Sequence, residues 1–248
     1  MGQTQQPGQE PLVLLPGMMC DGRIFEPQVR TFSGSMPVMV LPLAGGGTVE
    51  EIASRMLANL PPRFALAGQE MGAILAMELV RRAPDRVTRL CLMAATALAD
   101  TPQQAADREP LIIAARTGRL QDALQATLPP DVLAPGLRRL EVLEMYCRMG
   151  LELGPELYES QTRALQRRPD QQAVLRRVKV PALVLCGAHD RLTPVAKHEL
   201  LAQLIPSARL EVIEDAGHMP VLEQPEAVNR ALLSWLAEPP VEAGLRLH

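Results

Sequence analysis

Short apolar runs alternate with helical patterns along most of the chain, and this alternation constrains the fold more than any other feature. Six such runs predict strands, at residues 11–15, 37–42, 63–67, 87–93, 181–186 and 209–213. Helical patterns follow four of them, at about 48–60, 73–82, 194–204 and 225–236. Because a crossover helix joins parallel neighbours, the pattern predicts an α/β fold with a mostly parallel, doubly wound sheet.

The alternation stops between residues 101 and 177, where only helical periodicity remains. Proline and glycine interrupt this stretch repeatedly, so we expect four or five short helices rather than long ones. The α/β core is then expected to comprise residues 10–100 and 178–237, with 101–177 as a helical insertion. Residues 1–9 and 238–248 are expected to be flexible tails.

Composition and charge exclude several classes of function. The 28 acidic residues outnumber the 25 basic ones, and 2% aromatic residues are too few for stacking on bases, so no nucleic-acid partner is expected. No apolar run approaches the roughly 20 residues of a membrane span, and the start of the chain lacks a secretory pattern. Four cysteines, far apart in sequence, agree with a cytoplasmic protein.

The turn Gly68-Gln-Glu-Met-Gly72 lies between the third predicted strand and its helix. A tight strand–turn–helix needs small residues on both sides of its apex, because the apex backbone is strained and the neighbouring backbones crowd together. Gly68 and Gly72 have this spacing, which makes Glu70 the apex residue. Its side chain is expected above the carboxyl edge of the sheet, where open α/β sheets bind ligands.

Two further strand ends bring polar side chains to the same edge. Asp190 follows the fifth predicted strand, and His218 follows the sixth. A carboxylate that orients an imidazole beside the apex residue is an arrangement used in nucleophilic catalysis. The backbone N–H groups of Met18, after the first strand, and Met71, at the helix start, are expected to form an oxyanion hole.

These segments resemble the α/β-hydrolase family over roughly residues 10–237. The resemblance rests on Leu14-Leu-Pro-Gly17, the turn at 68–72, Gly187-Ala-His-Asp190-Arg-Leu-Thr-Pro194, and Ala216-Gly-His218 followed by Leu222-Glu-Gln-Pro225. Within the family, the sequence resembles small carboxylesterases, such as pimeloyl-carrier-protein methyl esterases, and enol-lactone hydrolases. It implies a helical cap at 101–177 and cofactor-free hydrolysis of an ester or related bond in a small molecule.

The apex residue departs from the family pattern, in which Ser, or less often Asp or Cys, stands at this position. Three interpretations of Glu70 stay open. As a nucleophile it would attack a saturated carbon, as the Asp of related epoxide hydrolases and dehalogenases does, and His218 would then activate water. As a general base it would act directly on water or on a substrate C–H bond, as in a lyase. As an inactivating replacement of serine it would leave a protein that binds a ligand without chemistry.

The segments around the expected pocket are aliphatic and rich in methionine, which favours a small, mostly apolar substrate. Met19, Tyr146 and Met149 are the candidate pocket residues, although gap-filling in the core is the commoner use of methionine. Epoxide hydrolases use cap tyrosines to protonate the substrate oxygen, but a packed ring with its hydroxyl in water is the commoner arrangement for Tyr146 and Tyr158.

The remaining cationic residues fit a solvated surface better than a site. Arg108, Arg116 and Arg119 could hold a substrate carboxylate, but an exposed helix face is the more usual role of such a set. His198 lies in the predicted helix at 194–204 and is expected in solvent. No histidine pair has metal-ligand spacing, so no metal is expected, and these patterns do not indicate an oligomeric state.

Overall fold

A computed structural model describes residues 10–239, and this part of the chain contains one sheet of six parallel strands. The strands are β1 (Leu12–Leu15), β2 (Val38–Val40), β3 (Phe64–Gln69), β4 (Val87–Met93), β5 (Ala182–Gly187) and β6 (Ala208–Ile213). Their order across the sheet is β2-β1-β3-β4-β5-β6, and each neighbouring pair is parallel. The predicted α/β fold with a doubly wound sheet is therefore confirmed.

Helices flank this sheet. They are α1 (Glu26–Phe32), α2 (Val49–Leu57), α3 (Met71–Arg82), α4 (Pro102–Asp107), α5 (Glu109–Arg116), α6 (Leu120–Thr127), α7 (Arg138–Leu153), α8 (Pro155–Gln166), α9 (Gln172–Leu175), α10 (Val195–Leu204), α11 (Pro220–Glu223) and α12 (Pro225–Leu236). Two short 3-10 helices cover Gly22–Phe25 and Pro130–Val132. Between residues 10 and 239, no helix is long and apolar enough to cross a bilayer.

Burial follows position in the sheet. Every residue of β1, β3 and β5 is buried, because helices cover both faces of the central strands, and their sequences are correspondingly near-continuous apolar runs. The edge strands β2 and β6 are mostly half-buried, and β6 carries Arg209 and Glu211. The sheet reverses its winding direction between β1 and β3, which places the loops after these two strands at the switch point.

Six helices, α4 to α9, lie between β4 and β5, whereas the sequence predicts four or five short ones. They are not all short, because α7 runs for 16 residues without a break. It ends at Gly154, which has a φ of 88°, and Pro155 then begins α8, because proline fits the first turn of a helix. The division into core and cap stays a prediction, and the predicted tails, except for residues 238 and 239, lie outside the described residues.

Two glycines allow α3 to begin directly against the sheet. A Cβ atom on Gly72 would lie 2.1 Å from the carbonyl oxygen of Leu15, and one on Gly68 would lie 2.4 Å from the carbonyl oxygen of Gly72. Both neighbours are backbone atoms, so no side-chain rotation can relieve the overlap. The close approach of β1, β3 and α3 therefore requires glycine at both positions.

Replacing Gly72 by alanine is expected to lower the free energy of unfolding by about 1–3 kcal/mol, the usual cost of forcing extra atoms into a packed structure. Urea unfolding followed by circular dichroism measures the change. Gly34→Ala is the matched control, because apart from Gly34 and its two chain neighbours no atom of the described residues lies within 4 Å of the added Cβ. Equal unfolding midpoints for the two variants would contradict this account of the packing.

Candidate active site

Glu70 is the single residue between the end of β3 and the start of α3. Its backbone has φ 51° and ψ −111°, a region that non-glycine residues rarely occupy. The Glu70 N–H donates to the carbonyl oxygen of Met93 (2.8 Å), and its carbonyl oxygen accepts from the N–H groups of Ala73 and Ile74. The strained conformation is therefore held from both sides, as is common at functional sites.

One carboxylate oxygen of Glu70 accepts an N–H group that the sequence predicts as an oxyanion donor. The Met18 N–H, in the loop after β1, donates to Oε2 of Glu70 over 2.6 Å. This contact forms because β1 and β3 are neighbours in the sheet, so the loops that follow them meet. Met71, the second predicted donor, is the first residue of α3 and is fully buried, and its role as a donor stays a prediction.

Asp190 and His218 form a hydrogen-bonded pair beside Glu70. Nδ1 of His218 lies 2.8 Å from Oδ2 of Asp190, and both side chains are buried. Asp190 is itself held by the N–H groups of Leu192 and Thr193 (2.9 Å each) and by the Thr193 hydroxyl (2.7 Å). Because Nδ1 is engaged with Asp190, Nε2 is the nitrogen left to act on a substrate or on water.

The charges around His218 favour its protonated form. Burial works against the imidazolium, but the carboxylates of Asp190, Glu70 and Glu223 outweigh this effect and raise the pKa of His218. Burial would also raise the pKa of Asp190, yet its interactions with His218 and Thr193 lower that pKa overall. The site therefore combines an ionised aspartate with a histidine that holds its proton more firmly than free imidazole does.

Glu223 holds the loop that carries His218, and sequence reasoning did not identify this role. Its carboxylate accepts the N–H groups of Gly217 (3.0 Å), Met219 (2.9 Å) and Ala134 (2.7 Å). The first two residues flank His218, and the third lies between β4 and β5. Burial raises the pKa of Glu223 although these donors oppose the shift. The segment Leu222-Glu-Gln-Pro225 was the available signal, but its sequence does not show which N–H groups converge on the carboxylate.

A cavity of about 300 Å³ lies above Glu70, between the carboxyl edge of the sheet and the helices that connect β4 to β5. Glu70, His218 and Met18 contribute to its lining from the sheet side. Tyr146 contributes from α7, and its buried hydroxyl has no hydrogen-bond partner within residues 10–239. The cavity size is at the lower end of the range for small-molecule sites, which suits a small ligand.

Comparison with known proteins identifies the family. The sequence profile described as "Alpha/beta hydrolase family" matches residues 12–231. The chain belongs to the α/β-hydrolase family. The predicted resemblance is thereby confirmed at the level of the family.

Relatives of this α/β-hydrolase include named esterases. It is 32% identical over 202 residues to the pimeloyl-[acyl-carrier protein] methyl ester esterase of Aromatoleum aromaticum, covering 74% of this chain and 78% of the relative. It is 30% identical over 250 residues to the putative non-heme bromoperoxidase BpoC of Mycobacterium tuberculosis, covering 95% and 89%.

Solved structures give the same assignment. The enol-lactonase of Burkholderia xenovorans superposes with a TM-score of 0.83 at 25% identity, covering 96% of this chain and 94% of that structure. A thermophilic esterase of Thermogutta terrifontis superposes with a TM-score of 0.82 at 27% identity, covering 92% and 90%. The chain is thus an esterase-like hydrolase of the α/β-hydrolase family.

The predicted pocket residues separate into two groups in this hydrolase. Tyr146 lines the cavity, but Met19 and Met149 do not, and both are fully buried. Met19 turns away because its backbone takes a φ of 54° and its N–H donates to the buried side chain of Gln161. The methionines that line the cavity are instead Met18 and Met219, from the loops after β1 and β6.

Two expectations about surface cations change as well. The prediction that His198 is solvated was wrong: it is fully buried, its Nε2 accepts the Ala95 N–H (3.0 Å), and burial lowers its pKa to about 4. Arg116 and Arg119 are exposed, whereas Arg108 is half-buried and lines the cavity. The periodicity of a single helix could not distinguish these positions, because the distinction depends on neighbouring helices.

Replacing Glu70 by glutamine is expected to lower the pKa of His218, because it removes a negative charge that stabilises the imidazolium. NMR titration of the imidazole resonances measures this pKa, with His218→Gln used to assign the signal. Glu226→Gln is the control, since Glu226 is exposed at the start of α12. A pKa unchanged by Glu70→Gln would show that the Glu70 charge does not reach His218.

Replacing Glu223 by glutamine is expected to lower the free energy of unfolding by about 1–3 kcal/mol, the cost of leaving a buried donor unsatisfied. One amide oxygen cannot serve three N–H groups that converge on both carboxylate oxygens. Urea unfolding measures the loss, and Glu226→Gln again serves as the control. Unchanged stability in Glu223→Gln would mean that the loop around His218 does not depend on this carboxylate.

Proposed function

We propose that the protein is a cofactor-free hydrolase of a small, mostly apolar substrate, in which Glu70 is the nucleophile, His218 activates water and Asp190 orients His218. We also propose that residues 101–177 are the cap that closes the cavity over Glu70. One observation carries the proposal: the hydrogen bond of 2.6 Å from the Met18 N–H to Oε2 of Glu70. It fixes one oxygen of the carboxylate and leaves the other as the attacking atom.

This hydrogen bond favours a saturated carbon as the electrophile. We call the tight turn at residues 68–72 the elbow. An ester carbonyl attacked there would need the Met18 N–H to stabilise its own developing oxyanion, but this N–H already donates its hydrogen bond to Glu70. Attack on an acyl carbon would also yield a reactive anhydride. Attack on a saturated carbon avoids both difficulties, because the departing oxygen carries the charge away and an alkyl ester forms on Glu70.

The same hydrogen bond serves the second step, hydrolysis of the enzyme ester. Nε2 of His218 takes a proton from water, and the hydroxide attacks Cδ of Glu70, so negative charge develops on Oε2. The Met18 N–H is already bonded to that oxygen and stabilises the charge without reorganisation. Collapse of the intermediate breaks the bond between Cδ and the product oxygen, which takes the proton from His218 and leaves Glu70 as a carboxylic acid. This acid then returns one proton to the group that protonated the departing oxygen in the first step, which restores the carboxylate.

The charge on Glu70 also affects the step at which His218 can act as a base, because it changes the pKa of His218. In the resting site this charge is one of those that raise the pKa of His218. Esterification of Glu70 removes it, so the pKa of His218 falls at the step that requires a free imidazole. Together with Asp190, the Glu70 carboxylate therefore favours the protonated imidazole in the resting site, and its contribution is absent from the enzyme ester.

Tyr146 favours an epoxide as the substrate class. Opening an epoxide leaves an alkoxide, which needs a proton donor inside the cavity. The Tyr146 hydroxyl is buried, has no partner in the described part of the chain and lines the same cavity as Glu70. Burial raises its pKa, with further contributions from Cys20 and Glu70, so the hydroxyl keeps its proton in the resting site.

A non-catalytic ligand-binding protein is the second candidate, and the same contact favours it. A carboxylate that replaces serine and fills the oxyanion position would block acyl transfer in an esterase while leaving the cavity open to ligands. In that case Glu70 imitates a bound acid product on the Met18 N–H.

The proposal is tested by trapping the enzyme ester. Incubation of His218→Gln with styrene oxide is expected to add the mass of one epoxide to the peptide that contains Glu70, and to slow diol formation at least about 100-fold, the usual contribution of a general base. In a single turnover of the unaltered protein in water labelled with heavy oxygen, the label is expected in the Glu70 carboxylate. Glu70→Gln is the control and should give no adduct.

An ester assay on the unaltered chain and on Glu70→Ser tests the alternative that the protein is an inactivated esterase. Release of p-nitrophenol from p-nitrophenyl butyrate is expected to be weak for the unaltered chain and to increase in Glu70→Ser. If Glu70→Ser hydrolyses the ester while the unaltered chain forms neither adduct nor diol, the carboxylate mechanism is wrong and the second candidate stands. Full diol formation by His218→Gln would equally exclude the proposed mechanism.

A further inference from the structure

Three charged side chains from the segment between β4 and β5 meet on one wall of the cavity. Asp100 follows β4, Arg108 lies between α4 and α5, and Arg168 follows α8, and all three line the cavity. Oδ2 of Asp100 accepts from Nε of Arg108 over 2.8 Å, and Oδ1 accepts from Nη2 of Arg168 over 2.7 Å. Two guanidinium groups therefore share one carboxylate.

This cluster is largely removed from solvent. The exposed fractions of the side chains are 3% for Asp100, 8% for Arg168 and 26% for Arg108. These three side chains carry two positive charges and one negative charge. Asp107 and Glu70 also line the cavity, but within residues 10–239 neither forms an ion pair with Arg108 or Arg168, so the cluster itself carries a net positive charge. Because a buried charge is costly unless it is paired, this excess attracts an anion.

The two arginines differ in the donors they have left. Arg168 donates Nε to the carbonyl oxygen of Leu98 (3.1 Å) and Nη1 to that of Leu165 (3.3 Å), besides its bond with Asp100. Arg108 is bound only through Nε, and within residues 10–239 its two Nη groups have no hydrogen-bond acceptor. Asp100 thus fixes the guanidinium of Arg108 while its outer edge stays available in the cavity.

A purely structural role does not account for both arginines. The ion pair of Arg168 with Asp100 is enough to tie the loop after β4 to the end of α8. Arg108 adds like charge to that pair. Burial lowers the pKa of Arg168 and the charge of Arg108 lowers it further, whereas Asp100 and the charge of Glu70 oppose the shift. Arg108 therefore gains its ion pair with Asp100 but repels Arg168, and an anion bound at Arg108 would offset this repulsion.

We propose that Arg108, supported by Arg168, is a subsite for a carboxylate, and that the substrate is a small apolar molecule with a carboxylate at one end. A guanidinium edge matches the two oxygens of a carboxylate, which explains the choice of arginine. The negative charge of Glu70 would repel the carboxylate from the elbow, so the reactive end of the substrate faces Glu70. The identity of the reactive end rests on the proposed function, whereas the subsite itself does not.

Equilibrium binding of unreactive acids tests the subsite. Butanoate, hexanoate and octanoate are compared with their primary amides by isothermal titration calorimetry at pH 7. Each amide has nearly the shape of its acid without the charge. The unaltered protein is expected to bind at least one acid about tenfold or more tightly than its amide, as expected for a charge-assisted bond.

Variants locate the preference. Arg108→Gln is expected to abolish the preference for acids, Arg108→Lys to keep part of it, and Arg116→Gln to keep it entirely, because Arg116 is exposed and does not line the cavity. Thermal unfolding checks that the variants are folded. If Arg108→Gln does not fold, the preference for acids over amides is compared between Arg108→Lys and Arg116→Gln instead. The readout needs no turnover, so its failure is distinct from the absence of an adduct on Glu70.

Three results would overturn the subsite. One is equal affinity of the acids and their amides for the unaltered protein, and another is the absence of measurable binding of every acid. The third is an equal loss of acid binding in Arg108→Gln and Arg116→Gln, which would assign the effect to net charge rather than to the cavity wall.

Discussion

The hydrogen bond between the Met18 N–H and Oε2 of Glu70 depends on the order of the strands, on the packing of α3 against the sheet and on the backbone conformation of Glu70. It requires β1 and β3 to be neighbours, so that the loops after them meet at the switch point. It also requires α3 to begin against β1, which the glycine at position 72 permits. The apex backbone is then forced to a positive φ and directs the carboxylate toward Met18. Sheet order, glycine spacing and local strain thus converge on one carboxylate oxygen.

The second constraint is electrostatic, because three carboxylates influence one buried imidazole. Asp190 binds Nδ1 directly, Glu223 binds the N–H groups on either side of His218, and Glu70 acts through its charge. The first two are fixed by hydrogen bonds and keep their charge through the proposed reaction. Only the charge of Glu70 changes, since only Glu70 becomes an ester. The balance of protonation at His218 is therefore coupled to the chemical state of the nucleophile.

The sequence predicts those parts of the structure that follow from local pattern. Central strands are apolar runs because both faces are covered, and the glycines at 68 and 72 mark the elbow because no other residue fits there. The roles of Glu223 and Arg108 and the burial of His198 follow from contacts between distant elements. Helical periodicity indicates which face of a helix is apolar, but not which helix, loop or cavity that face meets.

The two sides of the cavity carry different charged groups, and these groups come from separate parts of the chain. Glu70 lies at the sheet edge, whereas Arg108 and Arg168 share Asp100 on the cavity wall. These groups come from different segments, the elbow after β3 and the helices between β4 and β5. A change of serine to glutamate at the elbow alters the reacting group and leaves the opposite wall intact. Under the proposed function, the reacting group and the groups that recognise the ligand therefore belong to separate segments of the chain and can change independently.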